Sequence, residues 1–470
     1  MNQHVPRRQA ARVRVQRGLG ASGCLGALGA LALCACRIEV EDPDPDESFS
    51  GSSTGSWDER SAPSRGDTST PPLRAEAPLP RAPAPPPVAA PAPGELPTQL
   101  YRELLVLDPT LLRGPLGSNA SLDAPLSFRA QMAWLAGAAH DPFEFTRAWL
   151  SEWGSASAVG PELAPVTPRP GVRAVLLDSW VTASYDSSPD AGTSAAPRWA
   201  DAPFQLIAVI NRVDLATAAC SGSAGELRYV YTAVDPQSDQ ALDMTAILEV
   251  PYPTTRPAAD WARAWSELAA LPASQLPAAL ARLAREVQLD ADPLRVRLRS
   301  NEIALSDPAS PSWELREFHL QIQAGGLALL AAPLEFTPRA DVDPARLSEH
   351  VLAHAEAIRG GAVSLPEELR AGAATTASAD FSWPVLGVSE GLRRAFSRET
   401  CNGCHGGDTA TLPFQHLVAD PELRRPARLS RFLYDPEANS DELRRRAARL
   451  KELAASECAA PAAGSGYFGP

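Results

Sequence analysis

Fourteen of the chain's 46 prolines fall between Pro43 and Pro97. Proline fixes φ and removes a backbone donor, so a stretch this dense in it can be neither a helix interior nor a central strand. Residues 36–98 open acidic, with Glu39, Glu41, Asp42, Asp44, Asp46 and Glu47. They turn rich in Ser, Gly and Thr, and end in proline and alanine around Arg81–Pro87. Too few large apolar side chains are present to offset the entropy of ordering such a segment. We read it as a disordered N-terminal tether whose proline half favours polyproline II, spanning roughly 50 to 150 Å between the coil and extended limits.

What precedes the tether has the pattern of an export signal. Arg7, Arg8, Arg12, Arg14 and Arg17 come first with no acid among them, followed by an apolar, small-residue run from Gly18 to Leu33. The run ends Leu33-Cys34-Ala35-Cys36, which resembles the bacterial lipobox. That resemblance implies a signal over 1–35 and lipid on Cys36; a cut before Cys34 would leave Leu33 at the −1 position, which fits worse. An ordinary cleaved signal is the alternative. Arg37 stands where an aspartate would retain a lipoprotein in the inner membrane, so the pattern implies an outer-membrane lipoprotein, held to the membrane by its anchor. Losing the five arginines takes the formal charge from −13 to −18. A chain so acidic is not expected to bind nucleic acid over a basic face. No later apolar run reaches the roughly 18 to 20 residues of a membrane span.

Residues 99–385 read as an α+β body with an antiparallel sheet and helix pairs. Helices are expected at 126–135, 142–150, 257–271, 274–287 and 344–358. Strands are expected at 172–177, 204–213, 227–233, 244–250, 313–322 and 327–336, the last two joined by a Gly325-Gly326 turn. The body lacks a nucleophile elbow, a phosphate-cradling Gly-x-x-x-x-Gly-Lys, a dinucleotide fingerprint and a His-Glu-x-x-His. His350 and His354 could share a helix face as metal ligands, but an amphipathic helix explains them as well. Asp214 in Asn211-Arg-Val-Asp214, and Glu302 in Asn301-Glu302, lie near strand ends, where caps and turns use the same residues.

The strongest motif lies in the C-terminal segment, 386–470. Residues 401–405 read Cys-Asn-Gly-Cys-His, the attachment signature of c-type haem. Two thiols three apart at a helix start can both reach the vinyl groups of one haem. The adjacent imidazole then meets the iron as the proximal ligand. This makes Cys401 and Cys404 the covalent anchors of a single haem c and His405 the iron ligand. A helix candidate at 388–396 leads in, and another from Asp441 onward has Ser440 as a candidate N-cap. The segment therefore resembles a small, mainly helical cytochrome c module, whose first and last helices pack together. It departs from that family in two ways: Phe396 sits one residue further from Cys401 than in the usual pattern, and, more seriously, Met1, Met132 and Met244 are the only methionines, so no methionine follows the motif. His416 is the only histidine after His405, and eleven residues of chain reach about 35 Å, which makes it the candidate distal ligand. An open distal site is the alternative.

Cysteine counting leaves other readings open. With Cys36 on lipid and two thiols on haem, Cys220 and Cys458 remain and could pair in an oxidising compartment. The count closes equally if Cys401 and Cys404 form a local disulfide and the protein holds no cofactor. Zinc on Cys401, Cys404 and His416 lacks a clear fourth ligand unless His405 serves. Between Glu390 and Glu452 there are 12 basic and 10 acidic residues, a balance that suits a redox partner protein, or simply solvated helix faces.

Five segments, Ile210-Asn-Arg-Val-Asp214, Gly225-Glu-Leu-Arg228, Asn301-Glu302, Trp313-Glu-Leu-Arg-Glu317 and Phe396 through His405, resemble a family of exported bacterial lipoproteins that end in a Cys-x-x-Cys-His segment. That resemblance implies one continuous body ahead of the motif and supplies no activity. The expectation is a membrane-anchored lipoprotein carrying one c-type haem for electron transfer or haem-based sensing. The alternatives are a non-catalytic surface lipoprotein with a Cys401–Cys404 staple and a binding body, and an oxidoreductase that uses the haem as electron acceptor.

Overall fold

A computed structural model describes residues 102–458, except 122, 157–158, 160–165, 187–196, 304–312, 362, 379–380, 410–414 and 435–441. The signal over 1–35, the lipid site Cys36, the tether 36–98 and the Ser440 cap lie outside the described residues.

One antiparallel sheet of eight strands organises the protein. Its strands are β1 (Leu105–Val106), β2 (Phe204–Arg212), β3 (Glu226–Val234), β4 (Ala241–Pro251), β5 (Arg297–Ile303), β6 (Trp313–Gln323), β7 (Gly326–Ala331) and β8 (Ala374–Ala377). They neighbour one another in chain order, and β8 pairs with the first half of β6. The β6–β7 hairpin needs its glycine: Gly326 has φ +120°, and a Cβ there would run into the His140 ring. Pro333 stops β7 short of the expected Phe336 by removing a ladder donor.

The helices that bear on the site and core are α1 (Phe128–Ala136), α2 (Pro142–Ser151), α3 (Ser179–Asp186), α4 (Ala258–Ala270), α5 (Leu276–Asp290), α6 (Pro344–Ala353), α7 (Glu390–Arg398), α8 (Cys401–Cys404) and α9 (Glu442–Ala455). Local chemistry starts several of them. The Ser127 hydroxyl accepts from the Ala130 N–H. The Asp141 carboxylate accepts from Phe143 and Glu144, with Pro142 at the first helical position. The helix expected to Ile358 breaks at His354, where φ is −110° and ψ 20°.

Residues 172–177 are not a strand. They lie in a continuous helical stretch, Pro170–Arg173 and Ala174–Asp178, leading into α3. Buried Val172, Leu176 and Trp180 recur every fourth residue, so the run has helical spacing that its β-branched content disguises.

The two faces of the sheet differ in kind. On one, Phe204, Tyr229, Tyr231, Leu248, Leu298 and Phe318 are buried, under an aromatic layer from α1 and α2. Phe128 lies 5.0 Å from Phe204, and Trp153 lies 5.2 Å from Phe318. The register puts Arg212, Glu226, Arg228, Glu249, Arg297, Arg299, Asn301, Glu317, His319 and Trp313 on the opposite face. The C-terminal segment covers that second face.

The cover does not pack as a cytochrome c module is expected to. α9 lies chiefly on α4, and Leu443, Leu450 and Leu453 join the main core. Leu392 and Phe396 of α7 instead pack with Leu347 and Val351 of α6 and with Trp383. The apolar stripes of the two helices face different partners, so the first-to-last helix pairing is replaced by attachment to the body. A disulfide between Cys220 and Cys458 ties the end of α9 to the loop before β3. Arg263 of α4 donates to the carbonyls of Ala454 and Ser456 at 2.9 and 3.0 Å.

Candidate functional site

Alternate positions on β3 to β6 carry charge, and each charge faces its opposite across a strand boundary. Arg228 bonds Glu249 at 3.0 Å, and Arg299 reaches Glu249 at 3.3 Å and Glu317 at 2.8 Å. The His319 Nε2 lies 2.7 Å from the other Glu317 oxygen. Glu317 is 0% exposed and Glu249 2%. Carboxylates this deep persist only when paired, because removing an ion from water costs several kcal/mol. Burial alone would raise the Glu317 carboxyl, but the Arg299 guanidinium and the His319 hydrogen bond outweigh it and hold it at about 2. For Glu249, burial wins over Arg228 and Arg299, and its carboxyl is raised. Farther along the face, Arg212 pairs with Asp214 at 3.0 Å.

The motif sits on this ladder. Thr400 joins α7 to α8: its hydroxyl accepts from the Trp383 indole N–H at 2.8 Å and donates to the Ser397 carbonyl at 3.0 Å. The Cys401 N–H donates to the Thr337 hydroxyl at 2.9 Å. Gly403 is required by close approach, since a Cβ there would lie 2.5 Å from the Ser397 carbonyl oxygen. On the far side the Ser397 hydroxyl donates to Asp408, which also pairs with Arg393. The turn carrying the two thiols is thus clamped at both ends.

Four rings run in contact through the site, the first pair stacked and the other two tilted. Trp313 lies 4.5 Å from His405 at an interplanar angle of 18°, His405 lies 4.4 Å from His416, and His416 lies 4.9 Å from Phe432. The indole N–H of Trp313 donates to the Asn301 side-chain oxygen. The Nδ1 of His416 is 3.2 Å from the Ser430 hydroxyl, and its Nε2 is 3.2 Å from the Cys404 sulfur. Cys401 and Cys404 are not bridged to each other. Burial raises both thiols above their ordinary range, with Arg299 opposing the shift at Cys401. Burial, then the neighbouring His405, hold His416 well below the usual imidazole range. Three buried polar atoms beside the motif make no hydrogen bond: Asn402 Oδ1, Gln415 Nε2 and Arg398 Nε.

Cys401, Cys404, His405 and His416 are therefore brought together. The signature segments on β5 and β6 divide by face: Asn301, Trp313 and Glu317 lie on the motif's side, whereas Glu302 and Glu314 point to the opposite face and share Arg169 at 3.2 and 3.1 Å. Asn211 and Asp214 have structural partners; the Asn211 oxygen accepts from the Val213 N–H and the Tyr252 hydroxyl. His350 of α6 and His354 at its end lie 4.2 Å apart with tilted rings, with Nε2 and Nδ1 respectively against backbone carbonyls. Among the described residues, no three His, Cys, Asp or Glu side chains are placed to hold a bare metal ion. Arg299, Glu249, Thr337 and Ser430 escaped sequence reading. For Arg299 the only signal is period-two charge along β5, the pattern of a solvated sheet face, and here that face is covered; Glu249 on β4 and the uncharged Thr337 and Ser430 carry no such signal.

Two buried groups predict the acid limb of stability with the same sign. Unfolded His416 takes up a proton near pH 6.5 and the folded one only far below, so stability falls as pH drops beneath about 6.5. Unfolded Glu317 protonates near about 4.3 and the folded group at about 2. Its contribution is complete above about 4.3 and is lost as pH falls toward about 2. Thermal melts of haem-free protein at stepped pH should show this decline, and His416→Phe should flatten the upper part. A wild-type melting temperature constant between about pH 7 and 5 would mean that His416 is solvated.

No family model matches the chain, and neither a curated protein nor a solved structure does.

Proposed function

We propose that this is an exported, lipid-anchored protein that carries one covalent c-type haem on Cys401 and Cys404, with His405 and His416 as iron ligands, and transfers or senses electrons at the outer membrane. One observation carries the reading. The chain bridges Cys220 to Cys458 and keeps Cys401 and Cys404 unbridged, three apart on one helical turn, with His405 and His416 beside them. The donor set therefore fits a thioether-linked haem with two imidazoles. Ser430 at Nδ1 of His416 leaves Nε2 directed at the Cys404 sulfur, which is how an outer-shell hydroxyl presents an imidazole nitrogen to a metal. Gln415 Nε2 and Arg398 Nε are buried donors without acceptors, and suit haem propionates.

Haem supplies a one-electron couple, and two imidazoles set it lower than an imidazole and a thioether would. This chain's residues hold the ring, exclude water and orient the imidazoles. His405 and His416 are in ring contact at 4.4 Å, so the two side chains would have to separate to hold a haem iron together. Thiol–disulfide exchange is disfavoured by the same burial, which keeps both thiols protonated and poorly nucleophilic.

Protein exported with a haem-maturation system should give a pyridine haemochrome spectrum and a haem-modified peptide containing Cys401 and Cys404. Cys401→Ala with Cys404→Ala should abolish both. His416→Ala should keep the haem and convert a low-spin ferric spectrum to high spin. Unmodified wild-type peptide from such cells would overturn the proposal.

A further inference from the structure

Two polar contacts hold the His416 ring, and they come from different parts of the chain. Nδ1 is 3.2 Å from the Ser430 hydroxyl, and Nε2 is 3.2 Å from the Cys404 sulfur. The first contact is local. Strands β9 (Leu417–Val418) and β10 (Arg428–Leu429) form a two-stranded antiparallel ribbon. The Ser430 N–H donates to the His416 carbonyl at 2.9 Å, which carries the ladder one pair further. The two side chains are therefore cross-strand neighbours whose approach is set by register. Ser430 is 6% exposed, so little water competes for its oxygen. The second contact crosses to α8.

The partners decide which nitrogen carries the proton. A neutral imidazole has one N–H and one bare nitrogen. A hydroxyl oxygen accepts well and sulfur weakly, whereas a thiol away from water keeps its hydrogen and donates it. Both contacts are used best when Nδ1–H donates to Ser430 and Nε2 accepts from Cys404.

We infer that Ser430 is a positioning residue that holds His416 as the Nδ1–H tautomer and so keeps Nε2 as its metal-binding nitrogen. The inference rests on the haem reading above and deepens it. Attachment at Cys404 adds the S–H across a vinyl group, sulfur to one carbon and hydrogen to the other, with no oxidant or reductant consumed. The thioether has no hydrogen to donate, so Nε2 is released by the same step that brings the iron. Ser430 shares a ribbon with His416, so the bond between them does not depend on where Cys404 and His405 stand. An acceptor at the outer nitrogen raises the basicity of a ligating imidazole, which favours ferric over ferrous iron.

The test has two arms, each on the full chain as wild type, Ser430→Ala and Ser430→Thr. In haem-free protein with isotope-labelled histidine, nitrogen NMR reads the tautomer directly. Wild type and Ser430→Thr should show His416 protonated at Nδ1, and Ser430→Ala should show a mixture. In haem-loaded protein, Ser430→Ala should have a higher midpoint potential. Added imidazole should also displace its His416 at roughly ten- to hundredfold lower concentration. Ser430→Thr should match wild type on both, whereas a merely structural serine would move neither. Nε2–H as the main tautomer of wild type overturns the inference, and that measurement decides the matter even if Ser430→Ala does not fold. Unchanged potential and imidazole sensitivity in loaded Ser430→Ala overturn it as well. Wild-type protein without covalent haem overturns the haem reading instead, and the tautomer tells the two failures apart.

Discussion

Arg299→Ala should destabilise the protein by about 3 to 5 kcal/mol, the cost of leaving a buried charge without its partner. The guanidinium lies between Glu249 and Glu317. Once it is gone, Glu249 retains Arg228, whereas Glu317 keeps His319 and the weaker influence of Arg297. The carboxyl held at about 2 then loses the strongest influence keeping it ionised, so the acid limb of stability should also move to higher pH. Arg299→Met combined with Glu317→Gln should recover much of the loss, because an apolar and neutral pair of similar volume avoids the uncompensated charge. Urea unfolding of the three proteins is the measurement. A loss under about 1 kcal/mol for Arg299→Ala would place the charged face in contact with solvent.

The second large effect concerns the tie at the end of α9. Cys220 and Cys458 are 238 residues apart, and a cross-link closing so long a loop contributes about 5 kcal/mol in the chain-entropy account. Cys220→Ser with Cys458→Ser should therefore lower the unfolding free energy by about 3 to 5 kcal/mol. The loss should fall unevenly. α9 carries Glu442 and Arg446, which neighbour Arg212 and Asp214, so the C-terminal cover should loosen before the aromatic side of the sheet does. Alkylation of Cys401 and Cys404 in haem-free protein should speed up in the double variant. Equal rates with and without the disulfide would mean that α9 does not guard the motif.

Much of this was readable in the linear chain. The strands β2, β3, β4 and β6 follow from runs of Val, Ile, Leu and Tyr between breakers, and α1, α2, α4 and α5 from apolar spacing and caps. Where reading failed, periodicity had competing meanings. Val172 to Leu177 is β-branched and apolar enough for a strand, yet its buried positions recur at helical spacing. The alternating charges of β3 and β5 look like a water-facing surface, because a local pattern cannot reveal that a segment from the other end of the chain will cover them.

By itself the sequence determined the chemistry on offer: two thiols three apart, the histidine after them, one later histidine, no methionine nearby, and a proline-dense N-terminal stretch. Those are matters of residue identity and short spacing, which need no fold to be true. Only the tertiary structure decided that Trp313, bonded to Asn301, would meet His405, that Arg299 would lie near Cys401, and that α9 would pack on α4 and not on α7. These contacts join residues up to more than a hundred positions apart through the register of a sheet, and register follows from the whole core packing at once.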